Sequence, residues 1–240
     1  MILTIWAFIY LVVSMIFLLP FGTLAMIFYF FGSRKLMSLF TYRIAQGWAL
    51  LFLKVTGCSV TVTGRENIPK KGGVCFVSNH DGFFDILLML GYCNRPFGFV
   101  AKKELAFMPL LNIWIYLLGG LFINRSDVRK ASRTISKGIA RIKAGAGMII
   151  FPEGHRSKGR GLLPFHPGAL KLATQAEAPI VPVAISGSSN AYEKTSLVVS
   201  SQMKMFFCEV INTAELPSSD RKLILSDKVF TVIKEKLEQA

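Results

Sequence analysis

Cysteine and histidine are scarce in this sequence, which limits the kinds of site that it can build. The 240 residues include three histidines and four cysteines, and these lack the close spacing of a disulfide framework or a zinc knuckle. We therefore expect no metal site, no disulfide scaffold and a reducing compartment. The cysteines are Cys58, Cys75, Cys93 and Cys208.

Acidic residues are also few. The chain has 28 Lys and Arg against 14 Asp and Glu, a net charge of +14, and its mean hydropathy is +0.48 with 52% hydrophobic residues. This apolar content excludes a disordered chain and argues against an ordinary soluble protein. The basic excess suits phosphates, anionic lipid head groups or an acidic protein. We expect no nucleic-acid partner, because the chain has no helix-turn-helix or RNP-like segment and its N-terminus is lipid-like.

Charged side chains are absent from residues 1–33. This apolar run is longer than the roughly 20 residues that a helix needs to cross a hydrocarbon core, so we expect a membrane-embedded helical segment. Pro20 and Gly22 allow a bend, and two forms stay open: one long tilted or kinked span, or a hairpin that re-enters the same leaflet. Because no basic leader or small-residue cleavage site accompanies the run, we expect it to be retained rather than removed as a signal peptide.

The residues that follow the apolar run are basic. Arg34, Lys35 and Arg43 place the rest of the chain on the cytoplasmic side by the positive-inside rule. Residues 36–56 mix apolar and polar side chains, which predicts an amphipathic helix in the membrane interface; a core helix is the alternative. We therefore divide the chain into a membrane anchor with an interfacial helix, residues 1–56, and an α/β domain, residues 57–240.

Short β-branched or aromatic runs alternate with helical patterns after Gly57. The alternation predicts an α/β fold with a mixed, largely parallel sheet flanked by helices. The predicted strands cover 59–63, 74–78, 97–101, 120–123, 148–151, 180–185 and 203–211. The predicted helices cover 82–92, 109–118, 129–143, 168–176 and 219–238.

A histidine and a carboxylate follow the second predicted strand. His80 lies at the carboxyl end of that strand, where ligands bind in open α/β sheets, and a bend before Asp85 would let its carboxylate reach the imidazole. An imidazole held in this way can take a proton from a substrate hydroxyl. The alternative is that Asp81 or Asp85 caps the helix and His80 is an ordinary loop residue.

Basic side chains cluster between Arg125 and Lys171, a stretch with eleven Lys and Arg against two acidic residues. Most of those on 129–143 belong to the solvated face of a helix. The loop around Arg156 contains Gly154, Ser157 and Gly159, which is typical of an anion-binding loop. A plain ion pair between Glu153 and Arg156 is the other interpretation.

Four segments occur in the order and approximate spacing of the glycerolipid acyltransferase family. The chain resembles most closely its bacterial 1-acyl-glycerol-3-phosphate acyltransferases, over roughly residues 60–190. Gly82, Asn124 and His155 depart from the residues that are frequent in the family. The four segments are Asn79-His80-x4-Asp85, residues 119–125, residues 151–157 and residues 180–185.

The resemblance implies a role for each matching residue. His80 would be the general base and Asp85 its orienting partner. Lys102, Arg125 and Arg156 would contact the phosphate of the acceptor. A further three residues would line the acceptor pocket: Glu153, Gly154 and Ser157.

The resemblance also implies the reaction. A lysophosphatidic acid hydroxyl, deprotonated by His80, would attack an acyl thioester and give phosphatidic acid without an acyl-enzyme intermediate. Backbone N–H groups near the start of the 82–92 helix would stabilise the oxyanion. Acyl-CoA or acyl carrier protein would be the co-substrate, membrane lipids the other partners, and no cofactor is expected. We expect a bacterial inner-membrane protein whose catalytic domain faces the cytoplasm.

Two alternatives and several details stay open at this point. The acceptor could be another lysolipid with a different head group. The protein could instead be a non-catalytic membrane protein that binds anionic lipids. Acyl-chain length, the donor and the oligomeric state are not determined by these patterns.

Overall fold

A seven-stranded sheet lies at the centre of the part of the chain that the computed structural model describes, residues 1–166, 168–213 and 221–240. The strands are β1 Ser59–Thr63, β2 Val74–Ser78, β3 Phe97–Lys102, β4 Leu121–Ile123, β5 Gly147–Ile150, β6 Ile180–Ser186 and β7 Gln202–Phe207. The helices are α1 Ile2–Phe17, α2 Leu19–Phe30, α3 Arg34–Val55, α4 Asp85–Tyr92, α5 Leu111–Leu117, α6 Val128–Lys143, α7 Lys171–Ala176 and α8 Arg221–Glu238. Short 3-10 helices cover Arg65–Asn67, Lys103–Phe107 and Ser188–Ala191.

The sheet is mixed and largely parallel, as predicted. Its strand order is β1-β7-β6-β2-β5-β3-β4. Five neighbouring strands, from β6 to β4, run parallel to one another. β7 pairs antiparallel with β6, with Ala184 opposite Phe206, and β1 is parallel to β7. The chain returns from β6 to β7 without a crossover helix, so this pair is antiparallel.

Helices cover both faces of the sheet. β2 shows this most directly, since all five of its residues are buried. Val74 and Phe76 pack in one apolar cluster with side chains of α3 and α4, whereas Cys75 and Val77 pack in another with side chains of α6, α7 and α8. A strand buried on both faces must be apolar throughout, which is why it reads as a continuous hydrophobic run.

The apolar N-terminus forms two helices rather than one. α1 and α2 are bent by 42° at their junction, and Pro20 lies in the first turn of α2, where proline costs no helical hydrogen bond. α1 also contacts the sheet domain, because Thr4 Oγ1 accepts the Val198 N–H at 2.9 Å. Phe17, Phe30 and Phe31 are exposed. By length and composition the bent pair could form one membrane span.

α3 has two different faces. Seven of its residues are buried, and several of these share the apolar cluster of α4 and the sheet. Other apolar side chains of the same helix, including Leu36, Leu39 and Leu51, are exposed. The helix is long and apolar enough to cross a membrane by itself. The division of the chain at residue 56 stays a prediction.

Several predicted boundaries differ from the structure. α5 covers Leu111–Leu117 instead of 109–118, α7 begins at Lys171 instead of 168, and the ends of β3 to β6 shift by one residue. The helix predicted from residue 82 begins at Asp85, because residues 81–84 form a turn that brings Asp85 back to His80. The last predicted strand ends at Phe207 instead of 211, although Ile211 still forms an isolated bridge with Ile180. The predicted start of the last helix, 219–220, lies outside the described residues.

Candidate active site

The carboxyl ends of the parallel strands gather the predicted site residues at one edge of the sheet. His80 follows β2, Lys102 ends β3 and Arg125 follows β4. Gly154 and Arg156 lie in the loop after β5. Since these strands are parallel, residues separated by up to 76 positions in sequence meet at the same edge.

His80 and Asp85 form a direct pair. The imidazole Nδ1 lies 2.7 Å from Asp85 Oδ2, so the predicted bend between them is present. The His80 side chain is 20% exposed, whereas that of Asp85 is 0% exposed. The carboxylate holds Nδ1–H of the neutral ring, which leaves Nε2 as the nitrogen able to accept a proton.

Asp85 is held from three sides. Besides His80, its carboxylate accepts the Gly82 N–H at 3.0 Å and the Ser188 hydroxyl. Burial raises the pKa of this carboxyl, and the hydrogen bonds from His80, Ser188 and Gly82 act in the opposite direction. These bonds keep the carboxylate pointed at the imidazole.

The His80 ring also stacks on Phe151. The two ring centroids are 4.1 Å apart and the planes are inclined by 22°. Phe151 follows β5, the strand next to β2. Because Asp85 holds one edge of the imidazole and Phe151 covers one face, the ring has little freedom to rotate.

Glu153 holds the backbone of the histidine by a hydrogen bond. Its side chain is 1% exposed; Oε1 accepts the His80 N–H at 2.7 Å and Oε2 accepts the Leu163 N–H at 3.2 Å. Burial raises the pKa of this carboxyl to about 7. Glu153 therefore binds backbone groups and forms no ion pair with Arg156, so that alternative interpretation is wrong.

Asp81 connects three loops next to the histidine. Its buried carboxylate accepts the Gly159 N–H at 3.1 Å, the Ser189 N–H at 3.0 Å and the hydroxyls of Ser157 and Ser188 at 3.3 Å each. Ser157 is itself buried and does not line the cavity described below. The Asp81 contacts fix the loop that carries Arg156 relative to His80.

Arg125 and Gly154 lie together at the surface. Arg125 Nη1 donates to the Gly154 carbonyl at 2.6 Å. Gly154 has a φ of +75°, and a Cβ there would lie 2.7 Å from His166 Cδ2 and 3.3 Å from Arg125 Nη1. Only glycine fits this turn without strain or displacement.

Arg156 has a partner that the sequence did not indicate. Its Nη1 lies 2.8 Å from Glu193 Oε1, and its guanidinium carbon lies 5.6 Å from the centroid of the Phe83 ring. Glu193 Oε1 also accepts the Phe83 N–H at 2.8 Å. Arg156 is thus held against the turn that follows His80.

A cavity of about 1180 Å³ joins these groups to the N-terminal helices. Its polar end contains His80, Lys102, Arg125, Gly154 and Arg156. Other lining residues come from α1, from α3 to α7 and from the loops beside them. Many of them are apolar, among them Met15, Trp48, Leu87, Trp114 and Leu118, and others are charged, such as Glu104, Lys158 and Lys171. Such a cavity fits a ligand with an anionic head and a hydrocarbon chain.

Two of the backbone N–H groups that were expected to stabilise the oxyanion already have acceptors, and for the other N–H groups near the start of this segment that role stays a prediction. The Gly82 and Phe83 N–H groups at the start of the 82–92 segment are already accepted by Asp85 and Glu193. They are therefore not available as oxyanion donors. Within the described ranges, no group of three or more His, Cys, Asp and Glu is placed to hold a metal ion.

Sequence reasoning also missed three residues of the site. Asp81 was considered only as a helix cap, and Ser188 and Glu193 were not singled out. For Asp81 the one available signal was the scarcity of acidic residues, because a carboxylate adjacent to His80 is unusual in so basic a chain. The partners of these three residues are 37 to 110 positions away, beyond the reach of any local pattern.

The fold and this constellation define an enzyme class. A family model described as Acyltransferase matches residues 59–186, more than half of the 240 residues. The chain therefore belongs to the acyltransferase family, which confirms the resemblance. The match includes each predicted site residue, from His80 to Ser157.

Individual relatives agree with this assignment. The 1-acyl-sn-glycerol-3-phosphate acyltransferase of Borreliella burgdorferi is 30% identical over 182 residues, 74% of this chain and 72% of that protein. The enzyme of the same name from Escherichia coli K12 is 35% identical over 135 residues, 56% of this chain and 55% of that protein. The chain thus spans about half the length of the second relative.

A solved structure has the same fold over nearly the whole chain. The crystal structure of the 1-acyl-sn-glycerophosphate (LPA) acyltransferase PlsC from Thermotoga maritima superposes with a TM-score of 0.84 at 26% identity. The alignment covers 99% of this chain and 94% of that one. The similarity therefore extends beyond the family match to the N-terminal helices.

Proposed function

We propose that this acyltransferase transfers an acyl group from a thioester to the free hydroxyl of 1-acyl-glycerol-3-phosphate and forms phosphatidic acid. The observation that carries the proposal is the His80–Asp85 pair, whose half-buried imidazole lines the same cavity as Lys102, Arg125 and Arg156. A base beside cationic side chains suits an alcohol that carries a phosphate. The names of the relatives support the same substrate.

The chemical step needs one proton acceptor. His80 Nε2 takes the hydroxyl proton as the oxygen attacks the thioester carbonyl. The C–S bond then breaks, the acyl group stays on the lipid oxygen, and the thiolate leaves. The imidazolium returns its proton to the sulfur. Asp85 stabilises the imidazolium while it exists, and the cationic side chains orient the acceptor.

The apolar part of the cavity would hold hydrocarbon chain. It is continuous from His80 to Met15 and Trp48 on the N-terminal helices, and these helices carry exposed apolar side chains. Because the acceptor and product are both lipids, we infer that the site works at a membrane surface, on the cytoplasmic side of the bacterial inner membrane. The donor would be acyl-CoA or acyl carrier protein, with no cofactor.

The test is transfer by detergent-purified protein of a labelled acyl group from each donor. Lysophosphatidic acid, lysophosphatidylcholine and monoacylglycerol are compared as acceptors. We expect a preference for lysophosphatidic acid and loss of transfer in His80→Ala with liposome binding intact. A preference for an acceptor without a phosphomonoester would refute the substrate assignment. Full activity of His80→Ala would refute the mechanism.

A further inference from the structure

Glu193 is a buried carboxylate outside every motif that the sequence analysis identified. It follows the 3-10 helix Ser188–Ala191, and its side chain is 3% exposed. Its Oε1 receives two hydrogen bonds of 2.8 Å, one from Arg156 Nη1 and one from the Phe83 N–H. One oxygen therefore bridges the loop that carries Arg156 and the turn that carries His80.

The second carboxylate oxygen occupies space next to Gly82. Glu193 Oε2 is buried and has no hydrogen-bond partner among the described residues. A Cβ on residue 82 would lie 2.8 Å from this oxygen, so only glycine leaves room for the carboxylate. A buried charge is unfavourable unless it is paired, and Arg156 supplies that pairing.

Arg156 keeps donors that Glu193 does not use. A guanidinium has five N–H donors in a fixed fork, and Glu193 accepts from Nη1. The side chain is 36% exposed and lines the cavity that contains His80. The Phe83 ring lies beneath the guanidinium. A long side chain held at both points loses less conformational entropy when a ligand binds.

We propose that Glu193 is a positioning residue that holds the Arg156 guanidinium at the cavity, ready to bind the acceptor phosphate. This proposal rests on the proposed function. The opposite role is that Glu193 competes with the phosphate for Arg156. The two roles predict opposite signs for the change in acceptor KM when Glu193 is removed.

Two substitutions separate the geometry of Glu193 from its charge. Glu193→Gln retains a carbonyl oxygen that accepts from Arg156 and Phe83, whereas Glu193→Ala retains neither contact. We expect Glu193→Ala to raise the KM for lysophosphatidic acid about tenfold, the effect of losing one pre-organised charge-assisted contact. We expect kcat and the donor KM to change little. In Glu193→Gln the acceptor KM should stay within about twofold of wild type.

A double-mutant cycle assigns the effect to Arg156. On an Arg156→Ala background, Glu193→Ala should produce no further rise in acceptor KM, because the group it positions is gone. Equal rises on both backgrounds would overturn the proposal, as would a lower KM in Glu193→Ala. Glu235→Ala, on the exposed side of α8, controls for the loss of one negative charge. Thermal unfolding in detergent identifies a variant that fails to fold.

Transfer activity of the wild-type protein tests the proposed function independently of the variants. If wild-type protein transfers no acyl group to lysophosphatidic acid, the proposed function fails before any variant is compared. If the wild type is active and the two substitutions are additive, only the positioning role of Glu193 fails.

Discussion

Substituting Asp85 with asparagine tests the role of the carboxylate in the His80–Asp85 pair. Asparagine has the same shape, and its carbonyl oxygen can take the place of Oδ2, which accepts from His80 and Gly82. Its NH2 group would then face Ser188, whose hydroxyl can rotate to accept. Because burial raises the pKa of Asp85, removing the charge should not destabilise the fold. The variant therefore removes the charge and leaves the packing in place.

The expected loss follows from the charge next to the imidazolium. A hydrogen bond to a charged group contributes about 1.5–3 kcal/mol against about 1 for a neutral one. Charge centres roughly 4 Å apart interact by about 4 kcal/mol near a protein surface. At about 1.4 kcal/mol per tenfold change in rate, we expect kcat to fall about 10²- to 10³-fold.

The assay follows thiol release from the acyl thioester in detergent at saturating acceptor. The KM for lysophosphatidic acid and the melting temperature should stay near wild-type values, because the Asp85 side chain is fully buried and does not line the cavity. Asp227→Asn, exposed on α8, serves as the matched control. If Asp85→Asn retains half of the wild-type kcat, the carboxylate does not assist proton transfer and the reasoning is refuted.

Three further variants test the groups around this pair. Glu153→Gln should flatten the pH dependence of stability. The raised pKa of about 7 makes the folded protein bind more protons than the unfolded protein between pH ~4.5 and 7. The wild-type melting temperature should therefore fall relative to that of the variant as the pH rises from ~4.5 to 7. An unchanged difference across that range would contradict the assignment. Ser188→Ala removes one donor to Asp85 and should lower kcat about threefold to tenfold, with no effect on acceptor KM. Gly154→Ala meets His166 and a φ of +75°, so acceptor KM should rise several-fold in steady-state assays; wild-type KM would show that this turn tolerates a side chain.

Local patterns were sufficient for most of the secondary structure. β1 and β2 have the predicted bounds, and α6 begins one residue before the predicted position. Apolar runs and helical periodicity are short-range properties, so they can be identified from the sequence without a tertiary structure. The start of α4 was predicted three residues too early, because the turn at residues 81–84 depends on acceptors supplied by distant loops.

The site shows the same division. His80 and Asp85 are five positions apart, and their pairing followed from a bend within one segment. The partners of Arg156 and Glu153 could not be predicted from the sequence. The carboxylates of Glu193 and Glu153 accept hydrogen bonds from donors that only the folded sheet brings close to them. Glu193 reaches Arg156 across 37 positions and Phe83 across 110. Glu153, adjacent in sequence to the basic loop, turns instead to the His80 backbone.

By itself, the sequence determined the apolar N-terminus, the strand and helix pattern, the basic excess and the pairing of His80 with Asp85. These depend on composition and on contacts within a few residues. The tertiary structure decided which carboxylate faces which cation, which backbone N–H groups remain free, and how the N-terminal helices join the cavity. These contacts form where parallel strands end side by side. A buried charge there is unfavourable unless it is paired, and the sheet supplies the partner from a distant part of the chain.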